Sequence, residues 1–321
     1  MNNIELIRKN RLANEIIFAD GIGSSGKGML SHIIASFERV EKQRNDMIFD
    51  TIPRMYDLGK ISKDAAVVLM QTEADQQLYH TMMSRAVNFR PTDSTGVTKN
   101  PFPMRYFKRL FMREGDDVVK RIHNERPIFN QAPHDALKNS QLLFDTFGDK
   151  LKIVYIVRNP VELVHDWERR GFGNRIGVDP REFQFSYEYG DDIVPLYAQG
   201  WEDEYHSISS VDRNIMMVKH HYYNNLTAYQ NLEEKYQKNV LIITFDELVS
   251  NPFAVSENIA DFMCTKTTRW TKKIIAREGC PREAGNKITI QLNEIKAASS
   301  KNYFDELEVM LDNYTKNFVN R

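Results

Sequence analysis

Short apolar runs alternate along this chain with stretches of helical period. Ile16 to Ala19 reads as a buried strand; after a glycine-rich turn, Met29, Leu30, Ile33, Ile34 and Phe37 recur at helical spacing. Lys60 to Asn88 is helical in pattern, with Val67, Val68, Met70, Leu78, Met82 and Met83 as its buried stripe. Arg90 to Met104, holding three prolines, reads as a loop, and Phe107 to His123 as one helix. Pro127 to Ala132 suits a short strand, and Asp135 to Phe147 a helix ended by Gly148. Lys152 to Val157 is continuously apolar and β-branched, as a parallel strand covered on both faces must be. Pro160 then opens a helix through Trp167.

Further on, the polar and aromatic stretch Gly171 to Pro195 reads as irregular, and Asp212 to Tyr236 as a long helix. Val240 to Phe245 is another buried strand, followed by a helix from Asn251 through Met263, and the segment from Leu292 onward is helical. Strands alternating with helices over this length predict a three-layer α/β sandwich with a mainly parallel central sheet. No repeat or low-complexity linker interrupts it, so residues 1–321 are expected to form one domain with a helical tail at about 290–321.

The turn after the first strand changes the picture. Gly21-Ile-Gly-Ser-Ser-Gly-Lys-Gly28 has the spacing of a phosphate loop, with Gly28 where a hydroxyl residue would usually sit on magnesium. Glycines let the backbone wrap an anion, successive amides point inward, and the next helix presents its positive end. Lys27 adds a point charge suited to a transferring phosphoryl or sulfuryl group. The plainer alternative is a tight strand-to-helix turn.

Composition narrows the class. Of 321 residues, 43 are Lys or Arg and 44 Asp or Glu, a formal charge of −1 that argues against a nucleic-acid binder. Apolar residues are 41% and charged residues 27%, as in soluble globular chains. Cys264 and Cys280 are the only cysteines, which excludes a disulfide framework or a cysteine-based zinc site. There is no His-x-x-x-His pair, so no metal is expected, and no long apolar run, so a cytoplasmic location without membrane partners is expected. Oligomeric state has no signature.

Three ordered segments together resemble the sulfotransferase family. The loop, read through Met29 and Leu30, is similar to that family's phosphosulfate loop. The second segment is the apolar strand ending in Arg158-Asn159-Pro160 and its helix; the third is Val240 to Phe253 with its Phe245-Asp-Glu-Leu248. The resemblance spans roughly residues 14 to 265 and implies a P-loop NTPase-like fold. It implies as donor 3′-phosphoadenosine 5′-phosphosulfate (PAPS), with Gly23, Ser24, Ser25, Gly26, Lys27, Gly28 and Met29 around the phosphosulfate. Arg158 would then take the 3′-phosphate, and Asp166 stands beside it where the family has a serine. His134, 24 residues before Arg158, matches the place of the family's base, with Ala132 where that family has a lysine; Lys27 and His134 are thus the catalytic candidates. The acceptor would be a small molecule or a glycan, in a pocket shaped by the Arg90 to Arg105 and Trp167 to Arg175 segments.

Two other readings stay open. Lys27 and Asp166 would also suit an ATP- and magnesium-dependent P-loop kinase, and the same fold could bind a nucleotide without catalysis. Asp20 could orient a lysine or a water. His165 reads as positional support, His220 and His221 as structural, and the Arg277 to Arg282 loop with Lys287 as a solvated turn.

Overall fold

The computed structural model describes residues 4–319. Six strands form in chain order: β1 (Ile16–Asp20), β2 (Phe129–Gln131), β3 (Leu151–Val157), β4 (Ser186–Tyr189), β5 (Asp192–Pro195) and β6 (Val240–Thr244). Four make a parallel sheet in the order β2-β1-β3-β6. The segment around Val40 and Arg44 extends it by isolated parallel bridges to Ile128 and Gln131.

Alternation along the central strands divides the core into two layers, because successive side chains leave a strand on opposite faces. Ile16, Phe18, Ile153, Tyr155 and Val157 enter one apolar cluster, while Ile17, Ala19, Val154 and Ile156 enter another. Helix α1 (Lys27–Ile34) and the helices Pro252–Phe262 and Arg269–Arg277 pack on the second face. Helices α2 (Ile48–Asp57) and α3 (Lys63–Met82), Pro160–Arg169 and Ser210–Asn231 cover the first. A parallel sheet sheathed by helices on both sides is the three-layer α/β arrangement expected from the sequence.

Several local expectations need correction. Phe107 to His123 is not one helix: Pro103–Arg109 and Asp116–Glu125 are separated by a turn at Gly115, whose φ of 69° no continuing helix tolerates. The helix after β2 begins at Ser140, not Asp135, because the Asp135 region is tied to buried partners instead. The stretch expected to be irregular before Pro195 contains the antiparallel hairpin of β4 and β5. The C-terminal tail is realised as helices Ile288–Ala298 and Lys301–Tyr314 and a π-helical turn, Thr315–Val319. Residues 1–3, 320 and 321 of the expected domain lie outside the described residues.

Candidate functional site

The loop after β1 is shaped by contacts that only glycine allows. Gly26 has φ 98°, and a Cβ there would stand 2.6 Å from the Phe245 ring. A Cβ at Gly21 would meet Ser25 Oγ at 2.4 Å. At Gly28 nothing lies within 4 Å, so its lack of a hydroxyl is not a packing requirement. Helix α1 starts at Lys27 with no side-chain cap, which leaves its first-turn amides to whatever the loop encloses. Ser24 and Ser25 hydroxyls are buried within the loop without hydrogen-bond partners. Met29 turns away from the loop, its sulfur 3.7 Å from Cys280 Sγ.

The second anchor is built by the three residues after β3. Asn159 caps the next helix by accepting from Val161 N at 2.9 Å, and Pro160 supplies its preset first residue. That start aims two side chains at the loop. Arg158 Nη1 donates to the Ser24 carbonyl at 2.9 Å, and Trp167 Nε1 donates to the Gly23 carbonyl at 2.8 Å. Arg158 also bonds Glu162 at 3.0 Å and lies over Phe245, its guanidinium carbon 4.3 Å from the ring centre.

The same Phe245 ring carries Arg282 at 5.7 Å, so the late loop is no simple solvated turn. Thr244 ends β6 and caps the next helix in a reciprocal box with Glu247, which fixes Phe245 at this junction. Asp166 does not join the cluster: its carboxylate is paired with Arg170 at 2.9 Å on the same helix. His165 bonds Glu294 at 2.9 Å, a supporting position as expected.

Across the loop, a buried polar network surrounds the second catalytic candidate. Lys27 Nζ donates to the Pro133 carbonyl at 2.7 Å, so the loop lysine meets the His134 segment. Asp50, in the first turn of α2, accepts from the main-chain amides of His134 (2.8 Å) and Asp135 (3.1 Å), and its other oxygen lies 3.2 Å from His134 Nδ1. That carboxylate holds the imidazole proton on Nδ1 and leaves Nε2 as the basic nitrogen. Asp135 in turn accepts from Arg54 Nε at 3.1 Å and Nη2 at 2.5 Å, and His221 Nδ1 stands 3.3 Å from it.

Burial sets the charges here. Burial and the nearby Lys27 charge push His134 below its ordinary value of 6.5. Burial lowers Lys27 to about 8 against the pull of Asp20, Asp50 and Asp135. Asp20 at the end of β1 is pushed up to about 7, chiefly by burial and against the Lys27 charge; it accepts from Leu137 N at 2.7 Å.

A cavity of about 280 Å³ opens between these parts, walled by Gly23, His134, Trp167, Phe172, Tyr197 and His221 among others. Trp167 and Phe172 bring the Trp167 to Arg175 segment to this wall. The Arg90 to Arg105 segment does not reach it: its Asp93, Ser94 and Thr95 face a separate cavity with Lys42 and Arg44. His221, read from sequence as structural, lies in the wall beside Asp135. Asp50, Arg54 and Asp135 were not singled out from sequence. The spacing of Asp50 and Arg54 within α2 carries no motif, and their partners at His134 and Asp135 are 81 to 85 residues away.

Among the described residues no group of three or more His, Cys, Asp or Glu is placed to hold a metal, and no helix is long and apolar enough to cross a membrane. No family model matches the sequence. No curated protein matches it either. Solved structures with a similar fold include a sulfotransferase domain from the curacin biosynthetic pathway, at 12% identity and TM-score 0.46, covering 83% of this chain and 78% of that one. Sulfotransferase STF9 from Mycobacterium avium gives 13% identity and TM-score 0.45 over 96% of this chain and 78% of that one. Mouse sulfotransferase SULT7A1 complexed with PAP gives 13% and 0.40 over 96% of this chain and 86% of that one.

Proposed function

We propose that this chain is a sulfotransferase that moves a sulfuryl group from PAPS to a hydroxyl or amine in the cavity beside His134. One observation carries the reading: Arg158, just after β3, and Trp167, on the helix that follows, both bond the loop after β1, while Lys27 of that loop reaches the His134 segment. Two separated stretches therefore frame one anion site next to a base. The unpartnered Ser24 and Ser25 hydroxyls, the uncapped α1 and the close Gly26 turn fit a phosphosulfate group, which would lie against residues 23 to 28.

The donor supplies an activated sulfuryl group on a phosphate leaving group. His134 Nε2 takes the acceptor proton as the new bond to sulfur forms. Lys27 opposes the charge that develops on the bridging oxygen as the bond between it and sulfur breaks. Arg158 and Arg282, both against the Phe245 ring, would hold the 3′-phosphate, with Arg158 Nη2 making no hydrogen bond among the described residues.

Calorimetry with adenosine 3′,5′-bisphosphate tests the donor. Wild type should bind it, and Arg158→Ala should bind roughly 10–100-fold more weakly, the loss of about 1.5–3 kcal/mol typical of a hydrogen bond to a charged group. Equal affinity in both proteins would reject the assignment.

A second reading, an ATP–magnesium phosphotransferase, is favoured by one observation. Glu162 bonds Arg158, and burial together with the Glu162 charge raises Asp246 beside it, so the Arg158 neighbourhood is more acidic than a 3′-phosphate prefers. Tighter binding of ATP–magnesium than of the bisphosphate in that experiment would select it.

Turnover should show a bell-shaped pH profile. His134 is lowered, so its acid limb should fall below pH 6.5; Lys27 loses its charge as pH passes about 8, so turnover should decline there. A rate still rising steadily above pH 9 would contradict the role given to Lys27.

A further inference from the structure

The cavity beside His134 holds a second imidazole that the transfer step leaves idle. His221, on the helix Ser210–Asn231, is 4% exposed and lines the same wall as His134. Its Nδ1 stands 3.3 Å from Asp135 Oδ1, and among the described residues neither buried atom has another hydrogen-bond partner. Two aromatic rings fix the imidazole edge-on, Tyr197 at 4.2 Å and Trp167 at 6.0 Å between ring centres. With Nδ1 turned to a carboxylate, the lone pair of the neutral ring lies on Nε2, as it does at His134 beside Asp50. Among the described residues no hydrogen bond reaches His221 Nε2. His134 and Asp135 are consecutive, so the two pairs of imidazole and carboxylate are mounted side by side.

The other polar side chains of the wall are engaged elsewhere. Glu182 pairs with Arg175 and Arg181 with Asp179, while Gln184 and Tyr197 OH both accept from Arg54, at 2.9 and 3.1 Å. Asn45 is exposed. Two imidazole nitrogens therefore face one space as hydrogen-bond acceptors, and sulfuryl transfer uses only the one at His134. A bound alcohol with a single hydroxyl would strip water from His221 Nε2 and leave it without a partner, which penalises such a ligand. A second hydroxyl or amine on the same molecule, donating to Nε2, removes that penalty. The Trp167, Phe172 and Tyr197 rings give the wall flat apolar faces, which suit the C–H side of a ring whose polar edge meets the imidazoles.

We propose that the acceptor is a cyclic polyol or amino alcohol, whose reacting group meets His134 while a second hydroxyl or amine donates to His221 Nε2. The role of His134 rests on the sulfotransferase reading above; the selection by His221 is additional to it. Two probes that differ by one hydroxyl test it, cis-1,2-cyclohexanediol and cyclohexanol. Each is titrated into the full chain, free and saturated with adenosine 3′,5′-bisphosphate, and binding is read from the tryptophan indole signals in nuclear magnetic resonance spectra. Wild type should bind the diol roughly tenfold more tightly than the mono-alcohol. His221→Phe keeps a ring against Trp167 and Tyr197 but offers no acceptor, so it should weaken the diol roughly tenfold and bring the two probes level. His221→Gln, whose side-chain carbonyl can accept, should restore part of the preference. Equal wild-type affinity for the two probes would overturn the proposal without recourse to any variant, as would binding of neither. A preference that persists in His221→Phe would overturn it too. Failure of the donor reading shows separately: wild type that does not bind the bisphosphate would reject PAPS, and the diol preference would still be read in the free chain.

Discussion

Alanine at His134 is expected to lower turnover roughly 10²–10⁴-fold, the span typical of losing a positioned general base. Turnover is read as adenosine 3′,5′-bisphosphate released from PAPS with a panel of alcohols and amines as acceptors. The side chain is half-buried at the cavity wall and, among the described residues, its ring bonds only Asp50, so the fold should survive its loss. Asp50→Asn discriminates between catalysis and mere architecture. The amide can still accept from the His134 and Asp135 main chain, but its NH₂ can face Nδ1 only if the imidazole proton moves to Nε2, the nitrogen that must stay free. A wrong tautomer of this kind is known to be severe in the serine protease triad. Asp50→Asn should therefore approach His134→Ala in turnover while bisphosphate affinity stays near wild type. Full activity in His134→Ala would end this assignment of the base. A normal rate in Asp50→Asn would reduce Asp50 to a loop clamp.

Much of the scaffold was legible because it rests on local signals. β1, β3 and β6 are continuous apolar runs, and each is followed by a chemically explicit turn. Glycines follow the first, Arg158-Asn159-Pro160 the second, and the Thr244 capping box the third. The convergence of the first two turns follows from their strands being neighbours in a parallel sheet. The hairpin of β4 and β5 was not legible, since only Val194 and Pro195 of its residues are buried and the pattern lacks a core face. Nor were Glu41, Lys42, Asp50, Arg54 and Asp135, although all are at most 5% exposed. A charged residue reads by default as solvated. Its burial becomes visible only when a partner distant in sequence is brought to it, as Arg109 is to Glu41 and Arg54 to Asp135. Asp166 shows the converse: its place in the motif suggested the ligand, but an arginine one turn along the same helix satisfies it.

Arg54→Met is expected to destabilise the fold by about 3–5 kcal/mol, the usual consequence of leaving one member of a buried ion pair alone. Arg54 is 5% and Asp135 2% exposed; besides two bonds to Asp135, the guanidinium donates to Gln184 at 2.9 Å and Tyr197 OH at 3.1 Å. Methionine fills similar space but supplies none of these donors, and His221 is then the nearest remaining group to Asp135. In wild type, burial would raise the Asp135 carboxyl, but His221 and Arg54 outweigh it and hold it well below its ordinary value. Its stabilising contribution is therefore complete above pH 3.8 and is lost as pH falls through the depressed folded value. Without Arg54 only His221 still opposes burial, and the folded value is expected to rise above the unfolded one, so that stability is lost as pH rises. Denaturant unfolding at pH 4.5 and pH 7.5 should therefore show the gap between wild type and Arg54→Met widening at the higher pH. Adding Asp135→Asn should recover part of the loss at pH 7.5, since the orphaned charge is gone. An equal gap at both pH values would mean that Arg54 contributes packing rather than charge, and that the Asp135 carboxylate owes its ionisation to His221.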